Sequence, residues 1–258
     1  MIANYHTHTR RCNHAAEDAE RAYVESAIRA GLDTLGFADH SPYPFPVDYR
    51  SGIRMTLDET ADYVNILTAL REEYADRIDI RIGFEAEYYP DYWQQLLEFL
   101  EPYPYEYLIL GQHFLGSEIE QPYMGAPTED RAILEGYVDQ CTRALHTGAY
   151  SCLAHPDLIH YVGDERVYRE ASRRLCREAL ACGVPLELNL LGLGANRHYP
   201  RQAFWEEAAV VGNPVILGWD AHWPTWMEQP ALAARAEGML AELGICRIEH
   251  LELIRPHP

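Results

Sequence analysis

The chain has 258 residues, of which 48% are apolar, and a formal net charge of −19. This length suits one α/β domain with a sizeable core, and so negative a surface disfavours binding to nucleic acid or to anionic membranes. No apolar run approaches the roughly 20 residues of a membrane-spanning helix, and the N-terminus carries no basic stretch followed by the apolar segment of a secretory signal.

The cysteines also favour a cytoplasmic location. They are scattered without a C-x-x-C pair, which predicts reduced thiols and argues against a zinc ribbon. The six are Cys12, Cys141, Cys152, Cys176, Cys182 and Cys246.

Predicted strands and helices alternate along the chain. Short runs rich in β-branched or aromatic residues predict strands at 2–6, 34–39, 79–88, 107–114, 151–155, 185–190, 214–221 and 246–253. Helical spacing predicts a first helix that stops at Gly31 and a second that begins at the Thr56–Glu59 capping box. Later helices are predicted at 91–100, 129–147, 166–182, 202–211 and 230–243. About seven such units without a linker favour a parallel barrel, and an open doubly wound sheet is the alternative.

Polar side chains follow most of these strands. The candidates are His6, His8, Asp39, His40, Glu85, Glu87, His113, His155, Asn189, Asp220 and His222. In a parallel barrel the carboxyl ends of the strands meet at one mouth, where functional residues gather. Imidazole and carboxylate groups suit zinc, manganese or iron, and His6 and His8 lie on the same face of a strand. With His14, these histidines together with Glu85 and Asp220 make nine ligands, which suit two or three divalent ions that keep open positions for water.

Seven segments also carry a family resemblance. In chain order they are YHTHT with His14 following, GFADHSPYPFP, IRIGFEAEYYP, YLILGQHF, YSCLAHPDLI, LELNLLGL and VILGWDAHWP, which together span residues 5 to 224. They resemble the polymerase-and-histidinol-phosphatase (PHP) family of metal-dependent phosphoesterases, and more narrowly its histidinol-phosphatase branch. The resemblance implies a distorted, TIM-like (β/α)7 barrel that forms a single domain over residues 1–258 and holds a trinuclear metal cluster.

The resemblance also implies a ligand set for each ion. One ion would take His6, His8, Glu85 and Asp220, a second would take Glu85, His113 and His155, and a third would take His14, His40 and His222.

The implied reaction is the hydrolysis of a small phosphate monoester, with L-histidinol phosphate of histidine biosynthesis as the first candidate substrate. We expect a water that bridges the ions to lose a proton and attack the phosphate in line. The candidate catalytic residues are Glu85, Asp220 and His222, and either Asp220 or a histidine-bound water would protonate the leaving group.

Three residues are candidates for substrate binding. Arg197 follows the sixth strand and has the guanidinium geometry that binds phosphate, whereas Arg54 and His160 are weaker candidates. The branch often has arginine directly after the HPDLI and N-x-x-G-L motifs, where this chain has His160 and Gly194. Glu87 and Asp39 would either orient ligand histidines or be solvated.

Alternative functions remain open at this stage. Another small phosphoester, a nucleotide or an oligonucleotide would suit the same chemistry, although the charge opposes nucleic acid. An amidohydrolase commonly uses a modified lysine, and this sequence contains no lysine. A non-catalytic metal-binding protein is the alternative from another class. The sequence does not decide the identity of the metals or the oligomeric state.

Overall fold

A computed structural model describes residues 2–46, 48–119 and 123–258. In these ranges seven strands form one sheet, in which neighbouring strands along the chain pair in parallel. They are β1 (Ala3–Asn4), β2 (Thr34–His40), β3 (Asp79–Glu85), β4 (Tyr107–Leu110), β5 (Cys152–Leu153), β6 (Leu186–Asn189) and β7 (Val215–Gly218).

The sheet closes on itself beyond the ends of β1 and β7. Thr7 forms a parallel bridge with Ala221. The backbone N–H of His8 donates to the carbonyl of Ala221 at 2.9 Å, and the N–H of Ala221 donates to the carbonyl of His6 at 3.1 Å. These bonds confirm the predicted seven-stranded barrel and exclude the open doubly wound sheet.

Eight α-helices within the described residues connect the strands and flank the barrel. They are α1 (Glu20–Arg29), α2 (Thr60–Glu73), α3 (Trp93–Leu100), α4 (Arg131–Leu145), α5 (Glu165–Ala181), α6 (Leu190–Gly194), α7 (Gln202–Val211) and α8 (Pro230–Glu242). None of them is long and apolar enough to cross a membrane.

The predicted helix boundaries rest on local chemistry that the structure confirms. Gly31 follows the end of α1 with a φ of +78°, a conformation that glycine adopts without a steric cost. Thr56 and Glu59 form the predicted capping box just before α2. The side chains of Asp130 and Asp164 cap α4 and α5 by accepting hydrogen bonds from the second backbone N–H of each helix.

Two elements differ from the prediction. No strand forms at 246–253, where only Arg247 makes an isolated bridge to Val215. All of β7 pairs with β6 along one edge, and beyond β7 Ala221 pairs with Thr7 along the other edge, so the last segment has little free edge to join. The structure adds α6 directly after β6, because the side chain of Asn189 accepts a hydrogen bond from the N–H of Gly192 at 2.9 Å and caps a helical turn.

The barrel interior is apolar away from the mouth. Its buried cluster contains Ala3, Tyr5, Ala38, Tyr107, Ile109, Cys152, Ala154, Ile216 and Leu251. The hydroxyl of Tyr107 reaches across the interior to the carbonyls of Tyr5 at 2.8 Å and Phe37 at 3.0 Å. These side chains fill the part of the barrel away from the mouth. The buried polar groups described below lie at the carboxyl ends of the strands.

Candidate metal centre

The nine predicted ligands converge at the carboxyl ends of the strands. A cavity of about 570 Å³ opens there, and eight of the nine side chains line it: His8, His14, His40, Glu85, His113, His155, Asp220 and His222. The ninth, His6, lies just beneath the cavity with 1% of its surface exposed.

The first predicted ligand set is compact. Nε2 of His8 lies 3.1 Å from Nε2 of His6 and 3.2 Å from Oδ1 of Asp220. Oε2 of Glu85 lies 3.5 Å from Nε2 of His6. Two ligand atoms that lie about 2.0–2.1 Å from the same tetrahedral ion are roughly 3.3 Å from each other. The observed separations therefore match atoms that share an ion.

Glu85 lies at the centre of the second set. Its Oε1 is 2.8 Å from Nε2 of His155 and 3.8 Å from Nε2 of His113. Burial alone would raise the pKa of this carboxyl, but the neighbouring His40, His113 and His6 hold it well below its usual range. A Cβ at position 111 would overlap Oε1, so Gly111 is needed for the carboxylate to occupy this place.

The third set has an electrostatic conflict that a cation would remove. Nδ1 of His14 lies 2.6 Å from the carbonyl oxygen of Cys12, and Nδ1 of His222 lies 3.0 Å from the carbonyl oxygen of Asp220. Because a carbonyl only accepts, each Nδ1 carries a hydrogen, and in the neutral rings each Nε2 carries a lone pair. The two Nε2 atoms nevertheless face each other at 2.9 Å.

Unpartnered polar atoms are concentrated in the same place. Five buried atoms there make no well-aligned hydrogen bond among the described residues: Nδ1 of His8, His40, His113 and His155, and Oε2 of Glu85. Nδ1 of His40 and Oε2 of Glu85 nevertheless lie 2.9 Å apart. Buried polar groups without a partner are costly. Five groups of three side chains also bring their potential ligand atoms within 4.8 Å of one another. The residues present therefore fit a set of bound cations.

Carboxylates beneath the ligands hold them in place. Glu87 accepts hydrogen bonds from the backbone N–H groups of His113 at 2.8 Å and Phe114 at 3.1 Å. Asp39 accepts from the N–H of Thr9 at 3.0 Å, and its Oδ1 lies 3.4 Å from Nδ1 of His8. Both carboxylates are buried, so the alternative that they are solvated is wrong.

Two residues of this region, Glu187 and Cys12, are not among the predicted site residues. Glu187 lies on β6 two positions before Asn189, so strand alternation places both side chains on one face, and that alternation was the available signal. Burial alone would raise the pKa of the Cys12 thiol, but the surrounding His14, His222 and His8 lower it to about 3.

The backbone is unusual at two of the predicted ligands. His155 has a φ of 28° and Asp220 a φ of 49°, values that L-residues rarely adopt. They follow β5 and β7 directly, where the chain turns out of the barrel. Such backbone strain is concentrated at functional sites.

Of the three predicted substrate-binding residues, Arg197 lines the cavity. The guanidinium is accessible, and its Nη1 donates to the hydroxyl of Tyr199 at 2.9 Å. His160 does not line the cavity and stacks on His198 with ring centroids 4.1 Å apart. Trp223 also lines the cavity, whereas Trp219 is buried in the core.

The environment of Arg54 is unlike that of a residue that binds substrate. It is 2% exposed and does not line the cavity. Its guanidinium forms ion pairs with Glu87 and Glu118 and donates to the carbonyl of Ser41 at 2.9 Å. Its donors are therefore directed at protein groups.

Comparison with known proteins decides the family. Residues 4–190 match the sequence model of the PHP domain. The chain belongs to the PHP domain family. The histidinol-phosphatase of Bacillus subtilis is 30% identical over 253 residues, which cover 84% of this chain and 92% of that protein. A probable histidinol-phosphatase of Deinococcus radiodurans is 29% identical over 232 residues, which cover 86% of this chain and 87% of that protein.

A solved structure agrees with the fold. The histidinol phosphate phosphatase of Lactococcus lactis, in complex with zinc, L-histidinol and phosphate, superimposes with a TM-score of 0.74. The alignment covers 97% of each chain at 19% sequence identity. The likeness confirms the fold, and the match to the PHP domain model confirms the membership predicted from the motifs.

Proposed function

We propose that this protein is a metal-dependent phosphoric monoester hydrolase that converts L-histidinol phosphate to L-histidinol and phosphate. The observation that carries the proposal is the convergence of seven imidazoles and two carboxylates on one cavity in a PHP chain. The relatives from Bacillus subtilis and Deinococcus radiodurans, named histidinol-phosphatase and probable histidinol-phosphatase, support the choice of substrate.

Two or three divalent ions, zinc, manganese or iron, would be held by the three ligand sets that the sequence predicts. When bound, such ions polarise a phosphate ester and make a nucleophile available from water near neutral pH. Glu85 would be shared between two sets, which its position between His6 and His155 supports. His222 would belong to the third set with His14 and His40, as their grouping supports.

The carboxylate of Asp220 would take part in proton transfer. Burial opposes ionisation, but His6 and His222 hold the pKa of Asp220 well below its usual range. Since the carboxylate is then the resting form, Asp220 is better suited to accept a proton from the attacking water than to protonate the leaving alkoxide.

Arg197 would bind the phosphate. Its guanidinium lines the cavity and donates a hydrogen bond to the hydroxyl of Tyr199, which holds it in place. Guanidinium groups bind phosphate through paired, charge-assisted hydrogen bonds. Phe114, Tyr123 and Trp223 provide aromatic walls for the organic part of the substrate.

Two residues from the predicted substrate site would have other roles. Arg54 would stabilise the fold through its buried ion pairs, and His160 would pack against His198 outside the cavity. The net charge of −19 supports a small phosphorylated substrate over nucleic acid. A cytoplasmic location stays a prediction.

A substrate panel tests the proposal. The protein loaded with zinc or manganese should hydrolyse L-histidinol phosphate with a kcat/KM roughly 100-fold above that for 4-nitrophenyl phosphate, since the cavity would also bind the organic part of the correct substrate. Equal values would contradict the substrate but leave the phosphatase chemistry. Rapid degradation of labelled single-stranded DNA in the same assay would favour a nuclease instead.

A further inference from the structure

Glu187 lies beneath the cavity and touches groups from three strand ends. It is 3% exposed and does not line the cavity. Its Oε1 is 2.8 Å from Nδ1 of His6, which follows β1. Its Oε2 accepts hydrogen bonds from the backbone N–H of His155 at 3.1 Å, beyond β5, and from Nδ2 of Asn189 at 3.0 Å, on β6.

The contact with His6 sets the direction of that ring. A carboxylate accepts hydrogen bonds, so Nδ1 of His6 carries a hydrogen, and in the neutral ring, the form that binds a metal, Nε2 is left with the lone pair. Nε2 is the atom that lies 3.1 Å from Nε2 of His8 and 3.5 Å from Oε2 of Glu85. Glu187 therefore presents the lone pair of His6 to the first ligand set.

Asn189 extends the contact to β7. Its Oδ1 accepts from the N–H of Gly192 at 2.9 Å, which fixes the orientation of the amide. The Nδ2 group then donates both to Glu187 and to Oδ2 of Asp220, the latter at 3.1 Å. Through one amide, the position of Asp220 is tied to that of Glu187.

A glycine on β7, Gly218, provides the space for the Glu187 carboxylate. A Cβ at position 218 would overlap Oε1 of Glu187, so Gly218 on β7 lets the side chain lie against the neighbouring strand. Substitution at this glycine would push the carboxylate away from His6.

We propose that Glu187 is a positioning residue that couples the first two ligand sets and leaves the third unaffected. It contacts His6 directly, Asp220 through Asn189, and His155 through the backbone. Among the described residues, the hydrogen bonds of His14 and His222 run to Cys12, to Asp220 and to each other, and Nδ1 of His40 lies 2.9 Å from Oε2 of Glu85; none of these contacts involves Glu187. The inference rests on the metal sets of the proposed function.

Glu187→Gln is the sharpest test. The amide has one acceptor oxygen and an NH₂ group. Because Oε2 of Glu187 accepts from two donors and Oε1 from one, the smaller conflict places the NH₂ group against Nδ1 of His6. Groups that orient metal ligands typically contribute about 10–100-fold to metal affinity. With Zn²⁺ as the probe, chelator competition should reveal two weakened equivalents by that factor and a third within about threefold of the wild-type value.

Three further measurements separate positioning from a purely structural role. Nitrogen NMR of the histidine rings should report a change of tautomer at His6 in Glu187→Gln. Glu207 is a buried carboxylate that pairs with Arg169 and Arg173 away from the cavity. Glu207→Gln should lower the Tm of the metal-free protein while leaving all zinc affinities unchanged. Gly218→Ala should reproduce the zinc phenotype of Glu187→Gln while Glu187 itself is retained.

The outcomes of these experiments are distinct. Unchanged zinc affinities in Glu187→Gln, or equal weakening of all three equivalents, would overturn the role of Glu187 and leave the proposed function standing. If Glu187→Gln does not fold, unchanged zinc binding by folded Gly218→Ala would overturn it equally. A wild-type protein that binds no zinc and hydrolyses no phosphoester would instead remove the proposed function, and the positioning role with it.

Discussion

Nε2 of His155 lies 2.8 Å from Oε1 of Glu85, although 70 positions separate the two residues in the chain. Glu85 ends β3 and His155 follows β5, so the contact passes over the end of β4. The glycine at position 111, just beyond β4, leaves the space that the Glu85 carboxylate occupies.

The first prediction concerns this glycine. Gly111→Ala would place a Cβ against the carboxylate of Glu85 and displace it, so we expect zinc affinity and kcat/KM to fall on the order of 10²-fold. Gly238→Ala is the matched control, because a Cβ there meets no atom within 4 Å. This helical substitution should raise stability by about 0.5–1 kcal/mol and leave turnover unchanged. Normal zinc binding by Gly111→Ala would contradict the place of Glu85 in the site.

The second prediction concerns the phosphate ligand. Arg197→Gln should lower kcat/KM by roughly 10–100-fold, since charged hydrogen bonds contribute about 1.5–3 kcal/mol. The inhibition constant of inorganic phosphate should rise by a similar factor, and Arg197→Lys should restore only part of the loss. Arg166→Gln serves as the control, because Arg166 is exposed and pairs with Asp164. Equal phosphate inhibition in Arg197→Gln and the wild type would refute the assignment.

The third prediction separates a structural role of Arg54 from substrate binding. Arg54→Met would leave Glu87 and Glu118 buried without their partner, which should destabilise the protein by about 3–5 kcal/mol and lower its Tm by roughly 10 °C. Thermal unfolding measures this directly. An unchanged Tm together with a raised KM would return Arg54 to the substrate site.

Much of the candidate site could be predicted from the sequence, because most of the predicted ligands end a strand or closely follow one, within a short recognisable motif. His6, His40 and His155 needed only the rule that strand ends meet at one mouth. The surroundings of Arg54 and His160 could not be predicted, since they depend on partners such as Glu118 and His198 that lie far away in the chain.

The strand predicted at 246–253 failed for a related reason. Its alternating pattern is compatible with a strand, but pairing depends on whether a neighbouring edge is available. Closure of the barrel between Thr7 and Ala221 had already used the mouth end of that edge. Local pattern carries no information about such competition, so the sequence alone could not exclude the strand.

The fourth prediction concerns the effect of pH on stability. Burial, together with the positive charges of His160, Arg197 and Arg201, lowers the pKa of His198 below its usual value. As the pH falls, His198 therefore takes up a proton near pH 6.5 in the unfolded chain and only at a lower pH in the folded protein. The stability that neutral His198 provides is complete above that pH and is lost as the pH falls through the lower, folded pKa.

In metal-free protein, the free energy of unfolding lost in His198→Asn should therefore shrink as the pH falls from about 7.5 to about 5.5. Denaturant titrations of both proteins over this range measure the difference. If the difference in free energy of unfolding between the two proteins stays constant, or widens as the pH falls, the folded protein does not favour neutral His198.

The most direct test of the whole account measures zinc content and turnover of L-histidinol phosphate on the same samples of wild type, His155→Ala and His146→Ala. His146 is an exposed histidine that pairs with Glu178 outside the cavity, so His146→Ala should behave as the wild type. We predict that chelation abolishes wild-type turnover and that zinc restores it. His155→Ala should lose bound zinc and on the order of 10³-fold in kcat/KM while the fold is retained. Full turnover by the chelated wild type, or by His155→Ala, would contradict the account.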